Sequence, residues 1–567
     1  MDSKDTKETY VVDSKDGDYA PTYEEAQRRG SAVEDGIVMN VDGLHRKLSN
    51  RMIQWIAIGG SIGTALFVSI GWGLIGGGPG SLFIAFLFYC TVVAAVNSGM
   101  AEMAVFMPVS GSFIRFAGKW VDEAFGFAAG WNFFLYEAIL IPFEISALNL
   151  VLTYWRDDIP VAAVVAACIV LYGIINIFVV KLYGEAEFWL ASGKLLLIFI
   201  LTFFTFITMV GGNPKHDAYG FRYWNTPGAF AESVTTGALG RFQGFLAALF
   251  TAAWTVVGPE YIAMVAGEAI YPRVTIKQAF KTVYWRFGGF FILGALCVGV
   301  VVPYNDPTLL NVLNTQGTGT GAASPYVVAM QNLGITVLPD LTNALLVTSI
   351  FSAGNSYVYC ATRSLYGLSL DGQAPRFLRK TTKNGIPIYC FCVVMVFPCI
   401  SFLSVSAGSA QAIKWLVNIV TASQVLNYVI MSTTYIFFYR AVKAQGYDRK
   451  AFPYRSWWQP WLAYYALVFT FIIVFIQGYT VFLPGNWDIG TFFTYYTMII
   501  ACPVFYFGWK LIKRTKLVKP EEADLVWERP IIDRYEASID PPLGLWEDLY
   551  QFLSLKKYRT KKTAVEA

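Results

Sequence analysis

Two glycine-containing interruptions inside apolar runs hold the residue types from which a small-molecule site could be built. The first is Ile58-Gly59-Gly60-Ser61-Ile62-Gly63-Thr64, and the second is Trp254-Thr255-Val256-Val257-Gly258-Pro259-Glu260. Glycines and hydroxyls in the middle of a lipid-length run are costly in a lipid-facing helix. Backbone groups freed by a break have no water to bond, so a break survives only beside protein or a wet cavity. A half-helix beginning near Ser61 would turn free N–H groups and its positive dipole end toward such a cavity, which suits a carboxylate. The hydroxyls of Ser61 and Thr64 would add to that cradle. A half-helix ending near Ile58 and Gly59 would leave carbonyls, which suit an ammonium. The carbonyls of Ala252, Ala253 and Trp254 would complete the ammonium site, with the Trp254 ring closing over a side chain. Together the two breaks fit a zwitterion such as an α-amino acid. Close helix packing through small residues is the competing reading of the first segment taken alone, and the Gly-Pro break in the second weighs against it.

Ionisable residues within membrane spans are functional candidates by default, and here they are Glu102, Glu137, Glu144, Glu187, Lys194, Glu260 and Glu268. Lys194 follows Ala191-Ser192-Gly193 and precedes three leucines. A lysine buried there is paired or loses its proton, because burial disfavours the ammonium, which makes it a candidate proton carrier. Two alternatives stand beside that role: the ammonium replaces a sodium ion held by other transporters, or the side chain snorkels to the interface. Glu137 and Glu144 are seven residues apart, share one helix face and are expected to face the interior, Glu137 as a further substrate contact and Glu144 in proton coupling or gating. Glu260 directly follows the second break and is expected to hold the gate or the unwound backbone. Glu102, Glu187 and Glu268 lie near span ends and read as structural pairing partners.

These groups need long apolar elements to position them. Of 567 residues, 55% are hydrophobic and only 14% charged, where a soluble protein carries about a quarter charged. The mean hydropathy is +0.47, and the apolar residues come in blocks, which predicts many membrane-spanning helices. The expected architecture is an all-α integral membrane protein with twelve transmembrane helices, near 52–76, 80–106, 124–152, 160–181, 186–211, 242–266, 284–303, 339–368, 387–406, 411–439, 460–482 and 489–511. Residues 1–45 are polar and Ser-rich and are expected to be a disordered tail. Lys4, Lys7 and Lys15 there are candidate ubiquitin acceptors, which would make a ubiquitin ligase a regulatory partner, although a plain solvated tail explains them equally well. With no apolar segment in that tail, the first span is expected to serve as its own targeting signal. Residues 46–511 form the twelve-span domain and 512–567 a second polar tail, in which Leu543 to Leu555 reads as a short surface helix with Trp546, Leu549, Phe552 and Leu553 on one face.

Lysines and arginines orient the chain. They cluster before the first span (Arg46, Lys47, Arg51) and after spans 6, 8, 10 and 12, with Arg273, Lys277, Lys281 and Arg286 in the loop after span 6, whereas Tyr304 to Pro339 has none. That pattern places both termini in the cytoplasm. The interruptions in spans 1 and 6 are five spans apart. This predicts a 5+5 inverted repeat of spans 1–5 and 6–10, with the site at the midplane and spans 11 and 12 outside it.

Several classes are excluded. The eight cysteines all lie in apolar stretches and read as small core residues, and the two histidines, His45 and His216, lie outside the spans. No metal cluster, nucleophile–base pair or nucleotide loop is indicated, so no enzyme, no cofactor and no nucleic-acid partner is expected. Broken helices with scattered single charges do not make a ring-lined pore either.

The segment Arg51-Met52-Ile53-Gln54-Trp55-Ile56-Ala57-Ile58-Gly59-Gly60-Ser61-Ile62-Gly63-Thr64 closely resembles the opening span of fungal amino-acid permeases, the yeast amino-acid transporter family of the amino acid–polyamine–organocation superfamily. Four further stretches resemble that family in the same order: Phe106-Met107-Pro108-Val109-Ser110-Gly111-Ser112-Phe113, Tyr183-Gly184-Glu185-Ala186-Glu187-Phe188-Trp189 followed by Lys194, Gly354-Asn355-Ser356 leading to Asp371-Gly372-Gln373-Ala374-Pro375, and Gln445-Gly446 with Pro453-Tyr454-Arg455. The resemblance implies a LeuT-like fold with helices 1 and 6 broken, and proton-coupled uptake of amino acids at the fungal plasma membrane. It implies that Ile58 to Thr64 and Ala252 to Trp254 hold the substrate backbone, that Lys194 matches a lysine of proton coupling, and that Glu144 and Glu260 match family carboxylates.

The chain departs from the family pattern at Met52, where histidine is usual, at Ala65, where glycine is common, at Pro259 within Gly258-Pro259-Glu260, and at Glu137, where many members carry tryptophan or another apolar residue. An extra buried carboxylate favours a cationic group on the substrate, and a minority branch of the family is associated with carnitine and polyamine uptake. The expected function is therefore a proton-coupled secondary transporter that imports amino acids or related cationic amines by alternating access. The alternative is a nutrient sensor of the same fold with little or no transport.

Overall fold

The computed structural model describes residues 33–34, 37–38, 46, 48–109, 111–152, 154–156, 158–178, 180–314, 324–382, 386–405 and 409–539. Lys4, Lys7, Lys15 and the Leu543–Leu555 segment lie outside the described residues, as does the side chain of Glu187. A short hairpin pairs β1 (Val33–Glu34) with β2 (Ile37–Val38) in antiparallel fashion. All larger elements are helical. Seven described helices are long and apolar enough to cross a membrane by length and composition, and Val161–Ile177, Ile388–Phe402 and Trp461–Ile476 are shorter apolar helices.

The chain enters through α1 (Asn50–Ser61), whose first turn is capped by Ser49 accepting the Met52 N–H. A π-helical turn, Ala65–Ser69, then leads into α2 (Ile70–Phe106). Within α2, Gly78 has φ 76° and ψ 170° immediately before Pro79. Proline removes one helical hydrogen bond and crowds the preceding turn, and the left-handed backbone there favours glycine. A Cβ on Gly78 would also lie 2.7 Å from the Ala231 nitrogen. The first two apolar segments therefore join through a kink, with almost no loop.

Next come α3 (Ser112–Phe116), α4 (Glu123–Leu152), α5 (Val161–Phe178) and α6 (Val180–Met209). The second interruption separates α7 (Gly237–Thr255) from α8 (Pro259–Val265). Helix α9 (Pro272–Arg286) continues through a π-helical turn, Phe287–Ile292, into α10 (Leu293–Val301). This element starts a dozen residues earlier than the hydropathy minimum suggested. The stretch free of lysine and arginine after it contains α11 (Pro307–Asn314) and α12 (Pro325–Asn332). Then follow α13 (Leu338–Leu370), α14 (Ile388–Val394), α15 (Ser409–Ala444), α16 (Trp461–Ile476) and α17 (Ile489–Lys513).

Helix α4 is the central post. It packs along α13 on one side and α15 on another, while α2 lies along α7, and α1 sits against α6, α9 and α13. Polar groups join these buried surfaces. Asn132 on α4 donates to the Ser423 carbonyl at 2.9 Å and to Asn427 Oδ1 at 2.8 Å on α15. Glu268 accepts from Arg363 Nε at 2.6 Å and from the Tyr359 hydroxyl at 2.7 Å. Glu102, fully buried, accepts from Arg449 Nε and Nη2 at 2.8 Å each, from Tyr435 at 2.8 Å and from the Ser456 N–H at 2.9 Å. These carboxylates act as the pairing partners expected of them, since a buried charge left unpaired would cost several kcal/mol (about 3–5).

The C-terminal segment is docked as far as residue 539, where the sequence reads as a plain polar tail. Val518 donates to the Val121 carbonyl at 2.8 Å, and Gln445 donates to the carbonyls of Pro520 and Ala523 at 3.0 and 2.7 Å. Helix α18 (Arg529–Ala537) lies on Arg273, which reaches Asp533 at 2.6 Å and Glu536 at 3.0 Å. Just before it, Arg115 bonds Glu528 at 2.8 Å and covers the Trp527 ring. Arginines from two distant segments thus supply the charges that the acidic segment lacks, and the sequence pattern alone gives no hint of that match.

Candidate functional site

The first interruption lies three residues further along than the glycine pair suggested. Helix α1 runs to Ser61, because the Ile62 N–H still reaches the Ile58 carbonyl at 3.1 Å. Ile62 then turns extended (φ −124°, ψ 107°), and helical structure resumes at Thr64 and Ala65. The expectation of a half-helix ending at Ile58 and another starting near Ser61 is corrected accordingly. The Ile58 carbonyl is not bare, since it accepts from Ile62 and from the Ser61 hydroxyl at 3.3 Å. Backbone is freed at Ile62, Gly63 and Thr64 instead.

The second interruption spans Val256 to Gly258. The Val256 N–H takes up the Ala252 carbonyl at 2.9 Å, so Ala252 is likewise not bare and the open helix end belongs to the residues after it. Pro259 restarts the helix at a position where its missing N–H costs nothing. Glu260 folds back onto the unwound backbone: its Oε2 accepts the Gly258 N–H at 3.3 Å and the Tyr428 hydroxyl at 3.3 Å. The Val256 carbonyl accepts from Tyr428 at 3.4 Å and from Gln424 at 3.5 Å. Ala253 and Trp254 are buried at the end of α7, and the Trp254 ring meets Phe143 edge-on at 5.4 Å. The Trp254 indole N–H has no hydrogen-bond partner among the described residues.

Helix α4 brings both of its carboxylates to this region. Glu144 accepts a short hydrogen bond from the Thr64 hydroxyl, which puts a carboxylate at the positive end of the restarted helix, where anions are favoured. A Cβ on Gly63 would lie 2.7 Å from Glu144 Oε1, so only glycine admits that approach. Lys194 on α6 is fully buried, and its charge acts on Glu144. Snorkelling does not fit that burial. Glu137, two turns earlier on α4, is fully buried; neither oxygen is in good hydrogen-bond geometry, the Tyr261 hydroxyl is its one close polar neighbour, and no cation acts on it among the described residues. Tyr136, Tyr261, Tyr357 and Glu260 surround it and interact with it electrostatically or with one another. The Tyr261 ring also closes on the first segment, where a Cβ on Gly60 would meet it at 2.7 Å.

One residue was misassigned from sequence. Arg286, counted as a loop charge, is 4% exposed on α9. Its Nη1 donates to the Ala57 carbonyl at 2.6 Å and to the Ser61 hydroxyl at 3.1 Å, while Nε and Nη2 have no hydrogen-bond partner among the described residues. The guanidinium therefore sits at the carbonyl end of α1, the favourable end for a cation. The tyrosines were missed as well: the only signal for Tyr261 was its place next to Glu260.

The arrangement offers hydroxyls, backbone ends, a buried carboxylate and a buried guanidinium around two helix breaks. Groups of both signs beside freed backbone suit a small molecule carrying both charges. A model described as amino acid permease matches residues 52–521. A general amino acid permease of Saccharomyces cerevisiae is 44% identical over 90% of this chain and 88% of its own length. A dicarboxylic amino acid permease of the same yeast is 39% identical, covering 89% and 83%. A lysine/arginine permease of Candida albicans is 36% identical, covering 90% and 89%.

Proposed function

The chain belongs to the amino acid permease family, whose members are membrane transporters rather than enzymes, and from that premise we propose that it is a proton-coupled importer of amino acids or related cationic amines. The relatives are named for general, dicarboxylic and basic substrates, so family membership leaves substrate choice to the site. The observation that carries the cationic preference is Glu137, a buried carboxylate with no cationic partner among the described residues and ringed by tyrosines. A substrate ammonium or side-chain cation would supply the missing counter-charge, and aromatic faces add cation–π attraction.

In this reading twelve spans form a LeuT-like 5+5 inverted repeat, with both termini cytoplasmic in the plasma membrane. The substrate backbone binds at Gly59 to Thr64 on the first break and at Ala253 and Trp254 on the second. Spans 1 and 6 hinge at Ile62–Thr64 and Val256–Gly258, and rock with spans 2 and 7 against a scaffold of spans 3, 4, 8 and 9. Because Glu260 and Tyr428 hold the second hinge, they set how readily it bends. Lys194 Nζ carries the coupling proton and alternates between pairing with Glu144 and releasing the proton inward. Supporting this role are its full burial and its electrostatic contact with the carboxyl that Thr64 binds.

The test is uptake of a labelled panel into permease-deficient fungal cells at two external pH values. The panel holds neutral, acidic and basic amino acids, proline, carnitine and spermidine. The proposal expects one class to enter, and to enter faster at lower pH. No uptake of any member, with the protein at the cell surface, overturns transport and favours the sensor reading.

A further inference from the structure

Resting on the transporter reading above, we propose that Arg286 is the counter-charge for the substrate's carboxylate, so that this site requires a ligand bearing a carboxylate as well as a cation. Arg286 is 4% exposed, and its hydrogen bonds among the described residues go to a carbonyl and a hydroxyl, not to a carboxylate. It spends one nitrogen on the end of α1, at Ala57 and Ser61, and keeps Nε and Nη2 without a partner among the described residues. A guanidinium presents a planar fork of donors matched to two carboxylate oxygens. A buried, half-satisfied fork is costly unless something completes it.

Two groups could compete for that role. Glu260 faces the guanidinium electrostatically, but its hydrogen bonds among the described residues go to Gly258 and Tyr428 and none joins it to Arg286. Glu144 is taken by Thr64. That second contact matters, because Glu144 already holds the positive end of the restarted helix, where the sequence alone would seat the substrate carboxylate. A carboxylate arriving at Ser61 instead finds a hydroxyl that Arg286 already touches and two free donors beside it. Glu137 on α4 has no cationic partner among the described residues, and Arg286 on α9 keeps two nitrogens without a hydrogen bond there. A zwitterion satisfies both, and a diamine or polyamine satisfies only Glu137.

The experiment compares amines with and without the carboxyl group: lysine with cadaverine, leucine with isopentylamine, proline with pyrrolidine. Uptake into permease-deficient cells is measured alongside ligand-induced thermal shifts of the purified full chain, for wild type, Arg286→Gln and Arg286→Lys. Wild type is expected to prefer the carboxylated member of at least one pair by about 10- to 100-fold, the loss typical of a charge-assisted hydrogen bond. Arg286→Gln should lower affinity for that acid by a similar factor and leave the paired amine unchanged, with Arg286→Lys intermediate. Three results overturn the proposal: a wild type that responds no better to any acid than to its amine, an Arg286→Gln protein that keeps the wild-type preference, or equal losses for both members of the pair, which would make the residue a positioning cation for α1. Acid-selective thermal shifts without uptake would sink the transporter reading and support the pairing.

Discussion

Gly63→Ala is the sharpest test of how the first break is built. The added Cβ would lie 2.7 Å from Glu144 Oε1, 3.1 Å from Ala353 Cβ and 3.5 Å from the Tyr357 hydroxyl. The backbone at Gly63 does not demand glycine by its φ, so the whole effect comes from that approach. Relief requires the carboxyl to retreat by roughly 0.5–0.7 Å, which overpacking experience puts at about 1–3 kcal/mol. The retreat also loosens the hydrogen bond from Thr64 to Glu144, and a bond to a charged group contributes about 1.5–3 kcal/mol. Even the lower end of that sum corresponds to more than a tenfold fall in productive binding, since about 1.4 kcal/mol is one decade. Gly367→Ala is the control: a Cβ there meets nothing within 4 Å, and alanine suits a helix better than glycine. Initial uptake rates over a range of substrate concentrations, normalised to surface protein, read the effect. Wild-type uptake by Gly63→Ala would refute the placement of Glu144 against the break.

Other substitutions probe separate parts of the account. Glu137→Gln should weaken uptake of cationic substrates more than neutral ones, by about 4 kcal/mol at most for a pair 4 Å apart at an effective dielectric near 20. Equal effects on both, seen in competition uptake, would remove its selectivity role. Lys194→Ala should abolish accumulation against a gradient, which retained uphill uptake at the wild-type rate would contradict. Glu102→Gln leaves the Arg449 guanidinium facing a neutral amide in a buried network and should cost about 3 kcal/mol of stability, read as a lower melting temperature in detergent. An unchanged melting temperature would mean that solvent or neighbours absorb the charge.

Much of the scaffold was legible because hydropathy over a lipid-length window depends little on detail. The twelve apolar segments all overlap described helices, and seven of the described helices are by themselves long and apolar enough to span. The break positions were legible to within one helical turn. Glycine marks where a helix tolerates a break, but Ser61 and Ile62 still find partners at Ile58, so the chain stays helical three residues longer. Arg286 was lost because a charge ends a hydropathy window: its burial comes from α1 supplying the Ala57 carbonyl, a contact across more than two hundred residues. The docked C-terminal segment was lost for a similar reason. Its acidic and aromatic residues look solvated until Arg115 and Arg273 arrive from other segments. Glu137 and Lys194, by contrast, stood out because nothing in an apolar run explains a charge.

The most direct test of proton-coupled import uses the purified chain in liposomes. A labelled amino acid from the class found in cells is supplied outside, with an imposed inward proton gradient and no sodium. Accumulation above the external concentration, abolished by a protonophore and absent in Lys194→Ala, is the predicted result. Equilibration without accumulation, or accumulation that needs sodium instead, would contradict it.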